Sequence, residues 1–407
     1  IISEKKNFKN VKDIIFITSK NVRKLLSNIS FKILNKKPKT LIAVTGTNGK
    51  SSVTDFYYQI LNLNSKKVAS IGTIGVRYKD YKKNLENTTL DPIKLSYLLR
   101  DLNKKKIDYV IMEASSHGLK QNRLDGLLFN IGIFTNLSHD HLDYHGDFKT
   151  YRDIKKLFFD QLPKTAFALT NLDDKNGAFM LQNSKAKTYS YALKQHADYK
   201  AQILECEFSG MLVKVQGQEV WTNLVGEFNT QNLLAVYAVA ELLGESSVDI
   251  LKELSLLKPI RGRFETFQSD ESITVVIDYA HSPDALENVL ETINKIRTKN
   301  ETLITIVGCG GNRDREKRPM IGKKAAALSD KVIFTSDNPR SEDPQSIIDD
   351  MVQGVSNFNN DKFLIEVERK KAIRQAKENS VKGDIVLIAG KGHEDYQELN
   401  NNKRIYF

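Results

Sequence analysis

The chain has 407 residues, 40% of them hydrophobic and 27% charged, and a formal net charge of +11. That length suits two or three domains, and no run of about 18 apolar residues is available to span a bilayer. The lysines are scattered among Asn and Ile rather than gathered in an arginine-rich tail or an aromatic-interleaved patch, so no nucleic-acid partner is expected, although the charge suits anionic substrates such as nucleotides.

The chain opens at Ile1, with no apolar stretch leading to a small-residue cleavage site, so it does not read as a secretory signal. A truncated front is expected, and the first 37 residues are too few to close a core alone. Residues 41–45 read as a buried strand and 52–61 as a helix. Residues 109–113 and 131–135 read as further strands, each ending in polar residues. This rhythm predicts a mostly parallel sheet covered by helices, with ligands at the carboxyl ends of its strands. Residues 232–243 read as a helix, and a new unit begins near Pro259. Strands are predicted there at 273–278, 303–307, 331–335 and 384–389. The two cysteines, Cys206 and Cys309, have no metal-type spacing, which predicts free thiols and a reducing compartment.

Between the first strand and helix lies Gly46-Thr47-Asn48-Gly49-Lys50-Ser51. Its glycines allow a tight turn that aims several N–H groups at one anion, and the helix N-terminus adds its dipole. Lys50 can reach outer phosphates, and Ser51 can offer its hydroxyl to Mg²⁺. The pattern is shorter than the full P-loop, and a plain solvated turn is the alternative.

Six more segments carry reactive groups. Glu113 at a strand end is a candidate Mg²⁺ ligand, or part of a helix-cap cluster with Ser115 and Ser116. Residues 135–145 are dense in metal-capable groups. Zinc is one reading, but without an HExxH pattern and beside a phosphate loop Mg²⁺ is preferred. Asp278 can bond a ribose hydroxyl, and Tyr279 or His281 can stack on a base; a simple turn before a helix at Pro283 is the alternative. The stretches 308–319, 336–344 and 389–394 put amide, guanidinium and carboxylate groups on one sheet edge, a set suited to a zwitterionic ligand.

Taken in this order, the motifs resemble the Mur ligase family of peptidoglycan synthesis. The resemblance runs the length of the chain and implies an α/β, three-domain architecture. It would comprise a remnant of a UDP-binding front domain (1–37), a central P-loop-type ATP-binding domain (38–258) and a Rossmann-like amino-acid-binding domain (259–407). It implies ATP and Mg²⁺ as cofactors. The ATP side would comprise Gly46 to Ser52, Asn229, Asn232, Arg263, Asp278, Tyr279 and His281. Ser51, Glu113 and His141 would bind Mg²⁺, together with Lys155 carried as a carbamate. Lys50, Lys155, His141 and Glu113 would be the catalytic set. Thr88, Thr89, Ser115, Gln121 and Arg123 would contact a UDP-MurNAc-dipeptide. Arg318, Asp337, Asn338, Pro339, Arg340, Gly390 and Glu394 would recognise meso-diaminopimelate.

The implied chemistry is an acyl phosphate made from ATP and attacked by the amine of diaminopimelate, in a cytoplasmic monomer. L-lysine lacks the distal carboxylate that Arg340 would hold. Addition of lysine or another amino acid, and a truncated nucleotide-binding module without activity, are the competing expectations. Three positions depart from the family pattern: Leu90 for a usual proline, His139 for a usual arginine and Asn312 for a usual aspartate. Tuning rather than loss is expected from them.

Overall fold

A computed structural model describes residues 2–3, 17–400 and 403–406. Part of the expected front remnant therefore lies outside the described residues. What is described of it includes α1 (Val22–Ile33), which packs beside a later helix of the first sheet.

The first sheet has eleven strands. In chain order they are β1 (Thr40–Thr45), β2 (Val68–Gly72), β3 (Gly75–Tyr78), β4 (Tyr81–Lys83), β5 (Tyr109–Glu113), β6 (Ile131–Phe134), β7 (Phe167–Asn171), β8 (Lys187–Ala192), β9 (Tyr199–Glu207), β10 (Gly210–Val215) and β11 (Gln218–Thr222). Their spatial order is β11-β10-β9-β8-β7-β6-β1-β5-β2-β3-β4. The middle, β9 to β2, is parallel, and antiparallel hairpins extend both edges. β1 is central because Leu41 to Val44 are all fully buried, the continuous apolar run of a strand covered on both faces. Its neighbours are β5 and β6, so the strand order reverses there and a crevice opens beyond its carboxyl end.

Helices α2 (Lys50–Leu63), α3 (Pro92–Lys104), α4 (Phe148–Asp160), α5 (Glu227–Leu242) and α6 (Ser247–Leu256) cover this sheet. α3 starts where Asp91 accepts hydrogen bonds from the backbone of Ile93 and Lys94 and proline occupies the first turn. α4 starts at Asp147, which caps Thr150; α4 buries Tyr151, Phe158 and Phe159 together with Lys155.

The second sheet holds β12 (Glu265–Gln268), β13 (Thr274–Asp278), β14 (Leu303–Val307), β15 (Lys331–Phe334), β16 (Phe363–Ile365) and β17 (Ile385–Ala389), ordered β12-β13-β17-β14-β15-β16. Only β12 is antiparallel. Helices α7 (Pro283–Ile296), α8 (Lys317–Leu328) and α9 (Arg369–Glu378) pack against it, and apolar clusters line its faces. The four strands predicted here form, while the edge strand β12 and the outer hairpins of the first sheet had not been read. The helix predicted from residue 52 begins at Lys50, inside the phosphate loop.

One carboxylate in this framework has no role at the cleft. Glu253 of α6 is buried with its Oε2 lacking a hydrogen-bond partner, and burial pushes its pKa up to about 7. The folded state thus holds this proton more tightly than the unfolded chain, and stability drains away as pH rises from the ordinary carboxylate range toward neutrality. Glu253→Gln cannot ionise. It is expected to raise the thermal midpoint near pH 8 by about 2 °C, with a smaller gain near pH 5. A gain that grows toward acid pH in paired melting curves would refute this assignment.

Candidate functional site

A cleft of about 540 Å³ separates the carboxyl ends of the two sheets and is lined from both. Its floor is the loop between β1 and α2. Gly49 there has φ +83°, and a Cβ would sit 2.5 Å from Asn232 Oδ1, so glycine is required for both conformation and space. Lys50 Nζ folds back and donates to the carbonyls of Gly46 (3.0 Å) and Thr47 (2.6 Å). Burial lowers its pKa, opposed by the charges of Glu113 and Asp140.

Ser51 Oγ donates to Glu113 Oε1 at 3.0 Å, and Thr73 donates to the same carboxylate from its backbone N (2.8 Å) and its Oγ1 (3.2 Å). Glu113 is 2% exposed. Across the cleft His141 has φ +55° and lies 3.4 Å from Asp140 through Nε2. Burial lowers the pKa of His141 to about 3, against the pull of Asp140, so the imidazole is neutral and able to ligate. A hydroxyl, a carboxylate and a neutral imidazole on one cleft fit Mg²⁺, which prefers oxygen. The zinc reading finds no support: among the described residues no group of three His, Cys, Asp or Glu side chains is placed to hold a metal ion.

Lys155 of α4 is 1% exposed, and its Nζ donates to Gly46 O at 2.8 Å. Burial, helped by the nearby Lys50 charge, holds its pKa well below the ordinary lysine value. Tyr151, one turn earlier, bonds Thr47 through its hydroxyl (3.0 Å) and offers its ring face 4.7 Å from Lys155 Nζ. Neither Tyr151 nor Thr73 had been singled out. Both act through residues far away in the chain, and no local pattern marks them.

Residues 88 to 123 converge on one wall. Thr88 and Thr73 hydroxyls are 3.1 Å apart, and Thr89 Oγ1 donates to Glu113 O (2.9 Å). Arg123 donates to Thr89 O (2.5 Å) and, through Nη2, to Gln121 Oε1 (2.8 Å). Ser115 lines the cleft and also accepts from Gly118 N (3.2 Å), so it is a helix cap and a wall residue at once.

On the opposite wall Arg340 has φ +53°. Its Nη1 donates to Gly311 O (2.8 Å) and its Nη2 lies 3.3 Å from Glu398. Asp337, Asn338, Gly390 and Glu394 line the cleft beside it. Asn312 keeps a capping role, because its Oδ1 accepts from Ser341 N (3.2 Å) and Oγ (2.9 Å), as an aspartate oxygen would. Arg318 is 1% exposed and lies behind the cleft lining, where its guanidinium bonds Glu342 (2.9 and 3.0 Å) and Asp350 (2.8 Å) and so braces the loops. Pro339 does not line the cleft either; its carbonyl accepts from Glu342 N (3.0 Å).

A second cavity of about 360 Å³ adjoins the loop and is bordered by Asn48, Ser52, Asn232, Arg263 and Asp278. Burial pushes Asp278 up to about 6, opposed by Arg263. Asn229 lies behind this wall, with its Nδ2 donating to Val225 O (2.9 Å). Tyr279 and His281, read from the sequence as able to stack on a base, lie between the two cavities' walls on the side of the first cleft. Tyr279 packs against Arg263 (4.6 Å) and His393 (centroids 5.6 Å apart). The loop residue Asn48 reaches across the domains to Asp284 (3.0 Å).

Residues that pin the second-sheet loops were also missed. Arg369, fully buried, donates to Ala389 O (2.7 Å) and Ser336 O (3.4 Å), joining two strand ends. Its sequence context, a lysine-rich helix start, looks like solvated surface.

The chain matches the sequence profile of the Mur ligase middle domain over residues 44–240 and that of the Mur ligase, glutamate ligase domain over 262–392. A UDP-N-acetylmuramoyl-L-alanyl-D-glutamate–2,6-diaminopimelate ligase of Bacteroides thetaiotaomicron is 48% identical over 337 residues, which cover 83% of this chain and 70% of the relative. A solved structure bearing the same enzyme name aligns with a TM-score of 0.69 at 35% identity, covering 100% of this chain and 84% of the other. A Mycobacterium tuberculosis folylpolyglutamate synthase, solved with ADP and AMPPCP, shares the fold at a TM-score of 0.72 and 15% identity, over 90% of this chain and 92% of its own.

Proposed function

Because the chain belongs to the Mur ligase family, we propose that it is the ATP-dependent ligase joining meso-diaminopimelate to UDP-N-acetylmuramoyl-L-alanyl-D-glutamate. The observation that carries this reading is the two-sided cleft. A phosphate loop forms one wall, and the Asp337 to Arg340 loop with Glu394 forms the other.

In the first step a carboxylate oxygen of the D-glutamyl residue attacks the γ-phosphorus of ATP. The bond to ADP breaks, and an acyl phosphate remains. Loop N–H groups and Lys50 hold the phosphates, and Thr88, Thr89, Ser115, Gln121 and Arg123 hold the dipeptide against them. In the second step an amine of diaminopimelate attacks the acyl carbon. Inorganic phosphate leaves and the amine gives up its proton. Asp337, Asn338, Arg340, Gly390 and Glu394 orient that amine, and adenosine occupies the cavity beside Asn232 and Asp278. Ser51, Glu113 and His141 would hold Mg²⁺, which supplies positive charge against the crowded phosphate oxygens. Lys155, as a neutral amine, would add through Nζ to the carbon of CO₂ and release a proton to solvent, becoming an anionic carbamate whose oxygens could serve as ligands. Its buried, depressed amine supports this assignment.

The division at 1–37, 38–258 and 259–407 belongs to the same reading, as do a cytoplasmic location, a monomeric state and a part in cell shape and division through the cell wall. No helix among the described residues is long and apolar enough to cross a membrane.

Phosphate release by the full-length protein tests the function. It is expected to require ATP, the UDP-linked dipeptide and diaminopimelate, and to run about 100-fold or more faster with diaminopimelate than with L-lysine. Equal rates with the two amino acids would sink the specificity.

A further inference from the structure

Behind the second-sheet wall lies a charged group that does not itself line the cleft. Lys391 follows Gly390 at the end of β17, and its side chain is 3% exposed. Its Nζ donates to Asn338 Oδ1 at 2.7 Å and to Glu394 Oε2 at 2.9 Å, and lies 3.4 Å from Asp337 Oδ1. Three residues of the wall, from two different loops, thus converge on one buried ammonium.

The consequences follow from charge and lone pairs. Asp337 and Glu394 would place two carboxylates in a buried pocket, which is costly unless they are compensated. Lys391 offsets one of the two charges, and the buried Arg369 guanidinium, whose charge acts on both carboxylates, offsets the other. Glu394 offers about four lone-pair positions. Oε2 accepts from Lys391 and from Asn338 Nδ2 (3.1 Å), and Oε1 accepts from the Tyr279 hydroxyl (3.2 Å). The remaining position is on Oε1, the oxygen turned away from Lys391. Asn338 Oδ1 is also bonded by Glu398 N (2.8 Å), and Gln397 Nε2 donates to Asp337 O (2.6 Å), so the lysine is the centre of a rigid brace.

We propose that Lys391 is a positioning residue for amino-acid recognition: its buried ammonium gathers Asp337, Asn338 and Glu394 and turns one Glu394 oxygen toward an ammonium of the incoming amino acid. The proposal rests on the function above, because the ligand it serves is the zwitterionic acceptor.

The test is steady-state kinetics of the full-length protein, with diaminopimelate, ATP and the UDP-linked dipeptide varied in turn. Lys391→Gln keeps a donor and removes the charge; Lys391→Arg keeps the charge. Lys391→Gln is expected to raise KM for diaminopimelate about tenfold or more while KM for ATP stays within about twofold, and Lys391→Arg is expected to fall between it and wild type. An unchanged diaminopimelate KM in Lys391→Gln, or an equal rise in all three KM values, overturns the proposal. If Lys391→Gln does not fold, Lys391→Gln combined with Asp337→Asn removes one buried charge of each sign. Its diaminopimelate KM is expected to exceed that of Asp337→Asn alone, and equality of the two overturns the proposal. Failure of the underlying function looks different: wild type itself then shows no diaminopimelate-dependent phosphate release, and the proposal falls with it.

Discussion

Lys155→Ala is expected to lower turnover about 1,000-fold, the scale of losing a preorganised electrostatic contact at a phosphoryl-transfer site. The residue sits under the phosphate loop, bonded to Gly46 O at 2.8 Å, and burial keeps its amine neutral more readily than in an ordinary lysine. A cation in that place would repel both Lys50 and a divalent metal. A neutral amine can take up CO₂, and the resulting carbamate reverses the sign of the charge. Truncation to alanine leaves a small polar space beside Tyr151, so a short carboxylic acid such as acetate is expected to restore part of the activity. Added bicarbonate should raise the activity of wild type and leave the alanine variant unmoved. Full activity of Lys155→Ala would exclude the carbamate, and loss of activity with no response to short acids would leave the lysine a structural prop for the loop.

Arg340→Met is expected to raise KM for diaminopimelate about 100-fold and to erase most of its advantage over L-lysine, since a charged hydrogen bond is worth about 1.5–3 kcal/mol and a guanidinium can make two to one carboxylate. The geometry supports a prepositioned fork. Arg340 is held at φ +53°, a region that costs a non-glycine residue free energy, by its contacts to Gly311 and Glu398. Lysine at this position is a flexible point charge and is expected to recover little of the discrimination. Rates with L-lysine should change far less than rates with diaminopimelate, because lysine has no distal carboxylate to lose. A parallel fall with both amino acids would show that Arg340 braces the loop instead of reading the ligand.

The loop at Gly46 to Ser51, the strands that end in Glu113, Asp278 and Ala389, and the α/β class were legible in the chain itself. Each is a local pattern: an apolar run wide enough for a strand buried on both faces, followed by glycines or small polar residues where the backbone must turn. Glycine at 49 is a case where conformation and space both demand what the sequence supplies. The short outer hairpins at 75–83 and 199–222 carry no such signal, since half-exposed strands alternate too weakly and are held by pairing along the sheet edge.

Only the tertiary structure decided which charged residues meet a ligand and which meet each other. Arg318 and Arg340 both follow the glycine-rich turn or a strand end, yet one is enclosed by Glu342 and Asp350 and the other lines the cleft. Lys391, Arg369 and Thr73 were invisible for the converse reason: Lys391 meets Asn338 from 53 residues away as well as its near neighbour Glu394, and the partners of Arg369 and Thr73 are 20 to 33 and 40 residues away in the chain. A buried charge is settled by the groups that close around it, and those arrive from other strands of the sheet. The chain by itself determined the loop and the family it resembles, whereas folding selected the side chains that face the cleft, because burial and long-range pairing assign each charge its partner.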